Sequence, residues 1–309
     1  MREETSFVYG PVPSRRLGRS LGIDLVPFKT CSYDCVYCQL GRTTRKTMTR
    51  KEWLPLDPAL EELERKLESG PDYITLSGSG EPTLFSRIGE LIDRVKDMTD
   101  IPVAVLTNGS LLWQEGLREE LLGADLVIPS LDAGNAATFH YVNRPVSGLS
   151  YDRMTEGLIA FREQYEGQYW LEVFLLGGVT DVNAEVEALA EQVRRIGPDR
   201  VQLNTVTRPP AEDYAYAVPP DEMAGLASRI AGNAEVIADY RRVHDEPAFT
   251  ARGEDVLELL RRRPCTVEDV ASGLGMHRNE AVKYVERFLA DGDVRSERRG
   301  YRTFYVAKN

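Results

Sequence analysis

The chain contains 309 residues, which is long enough for about two domains, each with a buried core. Its composition, 42% hydrophobic and 28% charged, is typical of a globular protein and excludes disordered, collagen-like and small disulfide-linked classes. The net charge of −11 at pH 7 means that any contact with nucleic acid must be local. The sequence contains neither an apolar run of membrane-spanning length nor a signal-peptide pattern, which predicts a cytoplasmic protein.

Short apolar strands alternate with amphipathic helices along most of the chain. The predicted strands lie at 20–28, 73–78, 103–109, 125–132, 169–178 and 199–206, and the predicted helices at 58–67, 85–98, 112–122, 152–164, 184–195 and 220–231. This repetition predicts a parallel sheet covered by helices, either doubly wound or closed toward a barrel. In both architectures the functional site lies at the carboxyl ends of the strands.

The pattern changes after His244. Pro247 and the segment 251–253 are typical of a linker, and three amphipathic helices follow it. Residues 294–308 then predict a β-hairpin, and three helices followed by a hairpin are typical of a winged helix-turn-helix domain. We therefore predict a first domain at 1–246 and a second domain at 247–309.

Three of the four cysteines, Cys31, Cys35 and Cys38, lie in the loop after the first predicted strand. A short loop of this kind can place three thiolates around one metal centre. An iron–sulfur cube with three protein thiolates leaves one iron open for a small molecule. A zinc site is the alternative, but it would need a distant histidine or Cys265 as its fourth ligand. Otherwise, Cys265 is predicted to be a small buried residue.

The C-x-x-x-C-x-x-C loop, with Tyr37 before its last cysteine, resembles that of the radical S-adenosylmethionine (SAM) enzyme superfamily. The resemblance covers nearly all of the first predicted domain and implies a partial (β/α)6 TIM-like barrel. It also implies a [4Fe-4S] cluster on Cys31, Cys35 and Cys38, with SAM chelated to the cluster. In this superfamily the reduced cluster cleaves SAM to methionine and a 5′-deoxyadenosyl radical, which abstracts a substrate hydrogen. An electron donor such as flavodoxin or ferredoxin is implied as a partner.

Other segments at strand ends resemble the SAM-binding segments of this superfamily. Residues 77–81 resemble the Gly-Gly-Glu segment that holds the amino group of SAM, although the same sequence also fits a plain βα turn. Glu172 is a carboxylate within an apolar strand, and either binds a ligand or points outward; Asn183 either belongs to an adenine-binding segment or caps a helix. The candidates for cofactor binding are Tyr37, Ser77, Gly78, Ser79, Gly80, Glu81, Asn108, Ser130, Asp132, Glu172 and Asn183.

Several polar side chains are candidates for the substrate side of the site. Arginine suits bidentate recognition of phosphate or carboxylate, and the alternative is a solvated surface. The candidates are Arg15, Arg16, Arg144, Gln202, Asn204 and Arg208.

The segment 10–41 and the later NRP and LNTVTRPP sequences resemble the branch that includes the tRNA wyosine-base synthases. Those synthases hold a second cluster on three further cysteines, whereas this sequence retains only Cys265. The resemblance therefore implies the shared radical chemistry and not wyosine formation.

Three functional hypotheses follow. The first is a radical SAM enzyme that modifies tRNA or another macromolecule presented by the winged helix, whose basic residues are Arg278, Lys283, Arg295, Arg298, Arg299 and Arg302. In the second, the substrate is a small metabolite and the winged helix is a lid or dimer contact. The third is an iron–sulfur regulator that senses redox state and binds DNA.

Overall fold

A computed structural model describes residues 6–14, 16–238, 253–274, 276, 278–300 and 302–308. The strands are β1 (Val8–Ser14), β2 (Gly18–Ile23), β3 (Thr30–Cys31), β4 (Arg45–Lys46), β5 (Tyr73–Leu76), β6 (Val103–Thr107), β7 (Leu126–Leu131), β8 (Gln168–Leu175), β9 (Arg200–Thr205), β10 (Ala234–Val236), β11 (Val294–Arg299) and β12 (Arg302–Ala307). The helices are α1 (Leu56–Lys66), α2 (Ile88–Met98), α3 (Glu115–Leu121), α4 (Ala136–Val142), α5 (Tyr151–Gln164), α6 (Asn183–Ile196), α7 (Pro220–Ile230), α8 (Gly253–Arg262), α9 (Val267–Gly273) and α10 (Arg278–Asp291).

The main sheet has eight strands in the order β1-β2-β5-β6-β7-β8-β9-β10. β1 is antiparallel to β2, and every other neighbouring pair is parallel. Parallel neighbours require a crossover, and the helices between the strands provide it. The mixed α/β fold with a predominantly parallel sheet confirms that part of the prediction.

The helices pack on the sheet through stripes of apolar residues with helical spacing. In α2, the buried residues are Ile88, Leu91, Ile92 and Val95, which lie on one face of the helix. The central strands are apolar on both faces, as expected for a sheet buried between layers. This continuous core holds the carboxyl ends of the strands in fixed relative positions.

Some elements of the structure differ from the sequence-based prediction or were not predicted. The first predicted strand, 20–28, is replaced by β2, which ends at Ile23 and pairs with the unpredicted strand β1. Helix α4 has seven residues, of which only Phe139 and Val142 are buried, and Asn135 caps its N-terminus. Strand β10 has three residues and lies at the edge of the sheet.

The C-terminal part contains α8, α9 and α10 followed by the antiparallel pair β11 and β12, so the predicted three helices and hairpin are present. These elements share a separate apolar core, against which Val12 of β1 also packs. A capping box between Thr266 and Asp269 begins α9. The proposed boundary at 246/247 lies outside the described residues.

Within the described ranges, no helix combines the length and apolar character needed to cross a membrane.

Candidate active site at the carboxyl ends of the strands

A cavity of about 430 Å³ lies against one face of the sheet at the carboxyl ends of β5 to β9. Alternate residues of a strand share one face of the sheet, so Glu172 and Phe174 of β8 both line the cavity. Ser130 of β7 lines it as well. The predicted site residues in its wall are Cys31, Cys35, Tyr37, Cys38, Ser77, Gly78, Ser79, Gly80, Glu81, Asn108, Ser130 and Glu172. The fold therefore brings most of the candidates together.

The cysteine loop and the 77–81 turn are joined by their backbones. Lys29 N donates to Ser79 O at 2.7 Å, and Glu81 N donates to Thr30 O at 3.1 Å. A Cβ on Gly80 would lie 1.9 Å from Thr30 O, so only glycine permits this approach. The position of the first cysteine is thus fixed relative to the turn.

Two asparagine side chains contact the thiols. Asn108 Nδ2 donates to Cys31 Sγ at 3.4 Å, and Asn143 Nδ2 donates to Cys35 Sγ at the same distance. Asn108 also donates to Ser32 Oγ at 2.9 Å, which orients the amide. Amide N–H groups directed at sulfur favour the thiolate form that metal centres bind.

Burial raises the pKa of all three thiols in the cavity, and it raises the pKa of Cys31 to about 12. Like charges add to this effect, since Glu81 also raises the pKa of Cys31 and Asp132 also raises the pKa of Cys35. Thiols in such an environment stay protonated in the free protein. A bound cationic centre would reverse that preference, because ligation favours the thiolate.

Glu81 is buried between the ends of two strands, β5 and β6. Its carboxylate accepts hydrogen bonds from Thr83 Oγ1 and Thr107 Oγ1, each at 2.6 Å, and from Asn108 N at 2.8 Å. Burial raises the pKa of Glu81, and these hydrogen bonds oppose the rise. Glu81 therefore ties the turn after β5 to the end of β6.

Tyr37 stacks on Phe174 with ring centroids 3.8 Å apart, and its hydroxyl donates to Asp132 Oδ2. Asn143 Nδ2 donates to the same oxygen at 2.6 Å. Asp132 is only 4% exposed and lies behind the cavity wall, where burial raises its pKa to about 6. In this structure Asp132 positions Tyr37 and Asn143 and does not face the cavity directly.

Glu172 lies in the cavity wall and forms an ion pair with Arg16. Asn204 Nδ2 donates to Glu172 Oε1 at 3.2 Å, and Arg16 Nη1 donates to Gln202 Oε1 at 3.3 Å. Three candidates for the substrate side, Arg16, Gln202 and Asn204, thus form one polar network with Glu172. Its carboxylate faces the cavity, but Arg16 compensates its charge.

Two further candidates lie away from the cavity. Asn183 is exposed at the first position of α6, and Val182 occupies the N-cap position expected for Asn183. Arg144 was a candidate for binding an anionic group of the substrate, but its Nη1 pairs with Glu212 Oε1 at 2.6 Å. Arg15 lies outside the described residues.

The structure adds residues that sequence reasoning missed. Asp24 accepts from Ser79 N at 3.0 Å and pairs with Arg262 Nη1 at 3.1 Å. The Arg262 guanidinium lies 3.4 Å from the ring centroid of Tyr9, whose hydroxyl is 2.8 Å from Ser77 Oγ. No spacing in the sequence signals these contacts, because Asp24 and Arg262 are 238 residues apart.

In the part of the chain that the structure describes, no three side chains of His, Cys, Asp or Glu converge closely enough to hold one metal ion. A [4Fe-4S] cluster spreads its thiolates around a larger core, which agrees with three thiols distributed over one cavity wall. Cys265 is fully buried, and its backbone forms an isolated antiparallel β-bridge with that of Tyr305. Its burial confirms the prediction of a small buried residue.

The chain is similar to known proteins of one superfamily. The Radical SAM superfamily matches residues 25–193. A protein of Brachyspira hyodysenteriae named GTPase Obg is 41% identical over 95% of this chain, which spans only 44% of that protein. A UPF0026 protein of Helicobacter pylori strain J99 is 30% identical over 99% of both chains.

Among solved structures, Streptococcus suis SuiB bound to S-adenosylmethionine aligns with a TM-score of 0.55 and 13% identity. The alignment covers 73% of this chain and 52% of SuiB. At this identity the likeness concerns the fold alone.

Proposed function

Because the chain belongs to the radical SAM superfamily, whose enzymes use a [4Fe-4S] cluster and SAM, we propose that its cavity is the active site of a radical reaction on a small substrate. The presence of the three thiols and the 77–81 turn in the wall of one cavity carries this proposal. When bound, the reduced cluster and SAM supply a 5′-deoxyadenosyl radical that removes a hydrogen atom from the substrate. The names of the relatives assign neither a substrate nor a reaction outcome to this chain.

In this proposal Cys31, Cys35 and Cys38 hold the cluster. Asn108 and Asn143 orient the first two thiolates, since each donates a hydrogen bond to a sulfur atom. Three thiol donors in a largely buried wall leave one iron for a small ligand, as the resemblance implies.

The SAM contacts that we propose are those candidates with access to the cavity. The backbone at 77–81 would hold the amino group, with Asn108 and Ser130 toward the remaining polar groups. Tyr37 would contribute an apolar ring already fixed by Phe174 and Asp132. Asp132 is proposed as a positioning residue, and Asn183 is not proposed as a contact.

We propose that the C-terminal unit is a winged helix-turn-helix that closes the cavity. Three residues in or directly after the last turn of α8 lie in the cavity wall: Leu259, Arg262 and Arg263. A surface used as a wall is not available to present a large macromolecule, which supports a small substrate. We further propose that the parallel strands form the predicted partial barrel, and that a flavodoxin or ferredoxin reduces the cluster in the cytoplasm.

Nucleic acid remains a second candidate substrate, because β11 carries exposed basic residues. Several of the predicted phosphate contacts are engaged within the protein. Arg299 pairs with Asp213 at 3.0 Å, Arg295 pairs with Glu297 at 2.9 Å, and Arg278 pairs with Glu268 at 2.9 Å. These pairs reduce the charge available to phosphates, so the small substrate is the better supported reading.

The test uses anaerobically reconstituted protein, with iron and sulfide content measured before reductant-dependent release of 5′-deoxyadenosine from SAM. We expect about four irons per chain in the wild type and loss of both iron and cleavage in Cys35→Ala. Cys265→Ala is the matched control, because it removes a buried thiol outside the cavity and should retain both. Equal cleavage by the wild type and Cys35→Ala, or none by a fully loaded wild type, would contradict the proposal.

A further inference from the structure

Arg263 lines the cavity and carries two buried guanidinium nitrogens without an acceptor. Its Nε and Nη2 atoms are buried and have no hydrogen-bond partner among the described residues. These two nitrogens form the side of the guanidinium that presents parallel N–H bonds, which matches two oxygens of one oxyanion. Buried donors without acceptors are rare, because they lose hydration and gain nothing in return.

A second arginine lines the same cavity. Arg208 is only 7% exposed and is held by Gln39, since its Nη1 donates to Gln39 Oε1 at 3.0 Å. The charges of Arg208 and Arg263 both lower the pKa of the Cys265 thiol, against the larger effect of burial. Two arginines thus contribute to one cavity wall, Arg208 from the segment after β9 and Arg263 from the position directly after α8.

The neighbouring charged groups do not neutralise Arg263. Arg262, which precedes it, pairs with Asp24. Asp269, the acid that acts on Cys265, accepts a hydrogen bond from Thr266 N at 2.9 Å within its capping box. Arg16, elsewhere in the wall, pairs with Glu172.

We propose that Arg263 and Arg208 form an oxyanion subsite, so that the substrate of this enzyme carries a phosphate or carboxylate group. This inference rests on the proposed function, because it assigns the anion to the substrate that shares the cavity with SAM. Bidentate contact with Arg263 would fix the orientation of the substrate relative to the thiols. Arg208 would add a second positive charge from the segment after β9. An anion bound there also supplies the missing acceptor for Arg263.

The test measures binding of inorganic phosphate and of malonate to the cluster-loaded full chain with saturating SAM, by anaerobic calorimetry. Arg263→Gln should weaken the tighter of these two probes by about 10- to 100-fold, the usual loss for a charge-assisted pair of hydrogen bonds. Arg263→Lys should fall between, because it keeps the charge and loses the fork. Arg261→Gln is the matched control, since Arg261 lies two residues before Arg263, in the last turn of α8, but is exposed, and it should bind like the wild type. A preference for phosphate or for malonate identifies the anionic group.

Three results would overturn the inference: no saturable binding of either probe, equal binding by Arg263→Gln and the wild type, or an equal loss of SAM affinity in Arg263→Gln. The last result would assign the arginines to the carboxylate of SAM. Thermal unfolding of each variant separates a local loss from a failure to fold. SAM cleavage is measured on the same samples, so that cleavage without anion binding refutes only the subsite, and anion binding without cleavage refutes only the enzyme.

Discussion

Replacing Gly80 by alanine tests whether the cysteine loop and the 77–81 turn act as one unit. The new Cβ would lie 1.9 Å from Thr30 O and 2.7 Å from Val26 Cγ2. Ordinary contact needs about 3.4 Å, so the two backbones must separate by roughly 1.5 Å. Overpacking of this kind costs about 1 to 3 kcal/mol. The two backbone hydrogen bonds that join the loops would add about 1 kcal/mol each, so we expect a loss of about 3 to 5 kcal/mol.

Denaturant unfolding of the cluster-free protein measures the loss in stability, and iron content after reconstitution measures its effect on the site. Gly116→Ala is the control, because Gly116 lies in α3 with no atom within 4 Å of its added Cβ. The control should unfold within about 1 kcal/mol of the wild type and load iron normally. If Gly80→Ala matches the control in both measurements, the close approach of Gly80 to Thr30 does not hold the cysteine loop in place.

Three further predictions concern the surroundings of the cavity. Asp24→Asn should speed hydrogen exchange in α8 because it removes the charge partner of Arg262, whereas Asp57→Asn, in an exposed ion pair, should leave exchange in α8 unchanged. Asp132 should contribute a fall in the folding stability of the cluster-free protein as the pH rises from about 4 to about 6, because the folded state binds a proton at Asp132 that the unfolded state releases near its ordinary pKa of 3.8. In denaturant unfolding, Asp132→Asn should lose this slope, and an unchanged slope would refute the assignment. Arg298→Gln should match the wild type in SAM cleavage and in an RNA gel-shift assay, and a large loss of RNA binding would favour the nucleic-acid substrate.

The parallel strands could be predicted because burial on both faces demands apolar runs that are visible in the sequence, as in β5 and β6. The cysteine loop could be located because its ligands are local in the chain. The role of Glu172 could not be decided, since its ion pair with Arg16 depends on where the segment between β1 and β2 lies relative to β8 in the folded sheet. The sequence predicts a helix start at Asn183, which agrees with the structure to within one residue. It gives no information on the distance between that helix start and the cavity.

Contacts of the C-terminal unit were beyond sequence reasoning for a different reason. The basic residues of its hairpin suggested an outward-facing surface, whereas Arg262 and Arg263 of the preceding segment line the cavity. A run of three arginines at the end of a helix is equally compatible with a solvated helix terminus. Only the packing of α8 against the first part of the chain distinguishes these two possibilities, and that packing has no local sequence pattern.

The charge of the cavity wall differs in sign from the net charge of the chain. The chain carries a net charge of −11, yet the cavity wall contains Arg16, Arg208, Arg262 and Arg263, with Lys29 beside the cysteine loop. Arg16 pairs with Glu172 and Arg262 pairs with Asp24, so these two cations are compensated, whereas the buried Nε and Nη2 atoms of Arg263 have no acceptor among the described residues. A cation in a concave, partly desolvated wall attracts a small anion at short range, where acidic groups elsewhere on the chain are screened. Under the proposed closure by the C-terminal unit, the same segment would cover the cavity and supply this cation, since Leu259, Arg262 and Arg263 all lie in the cavity wall.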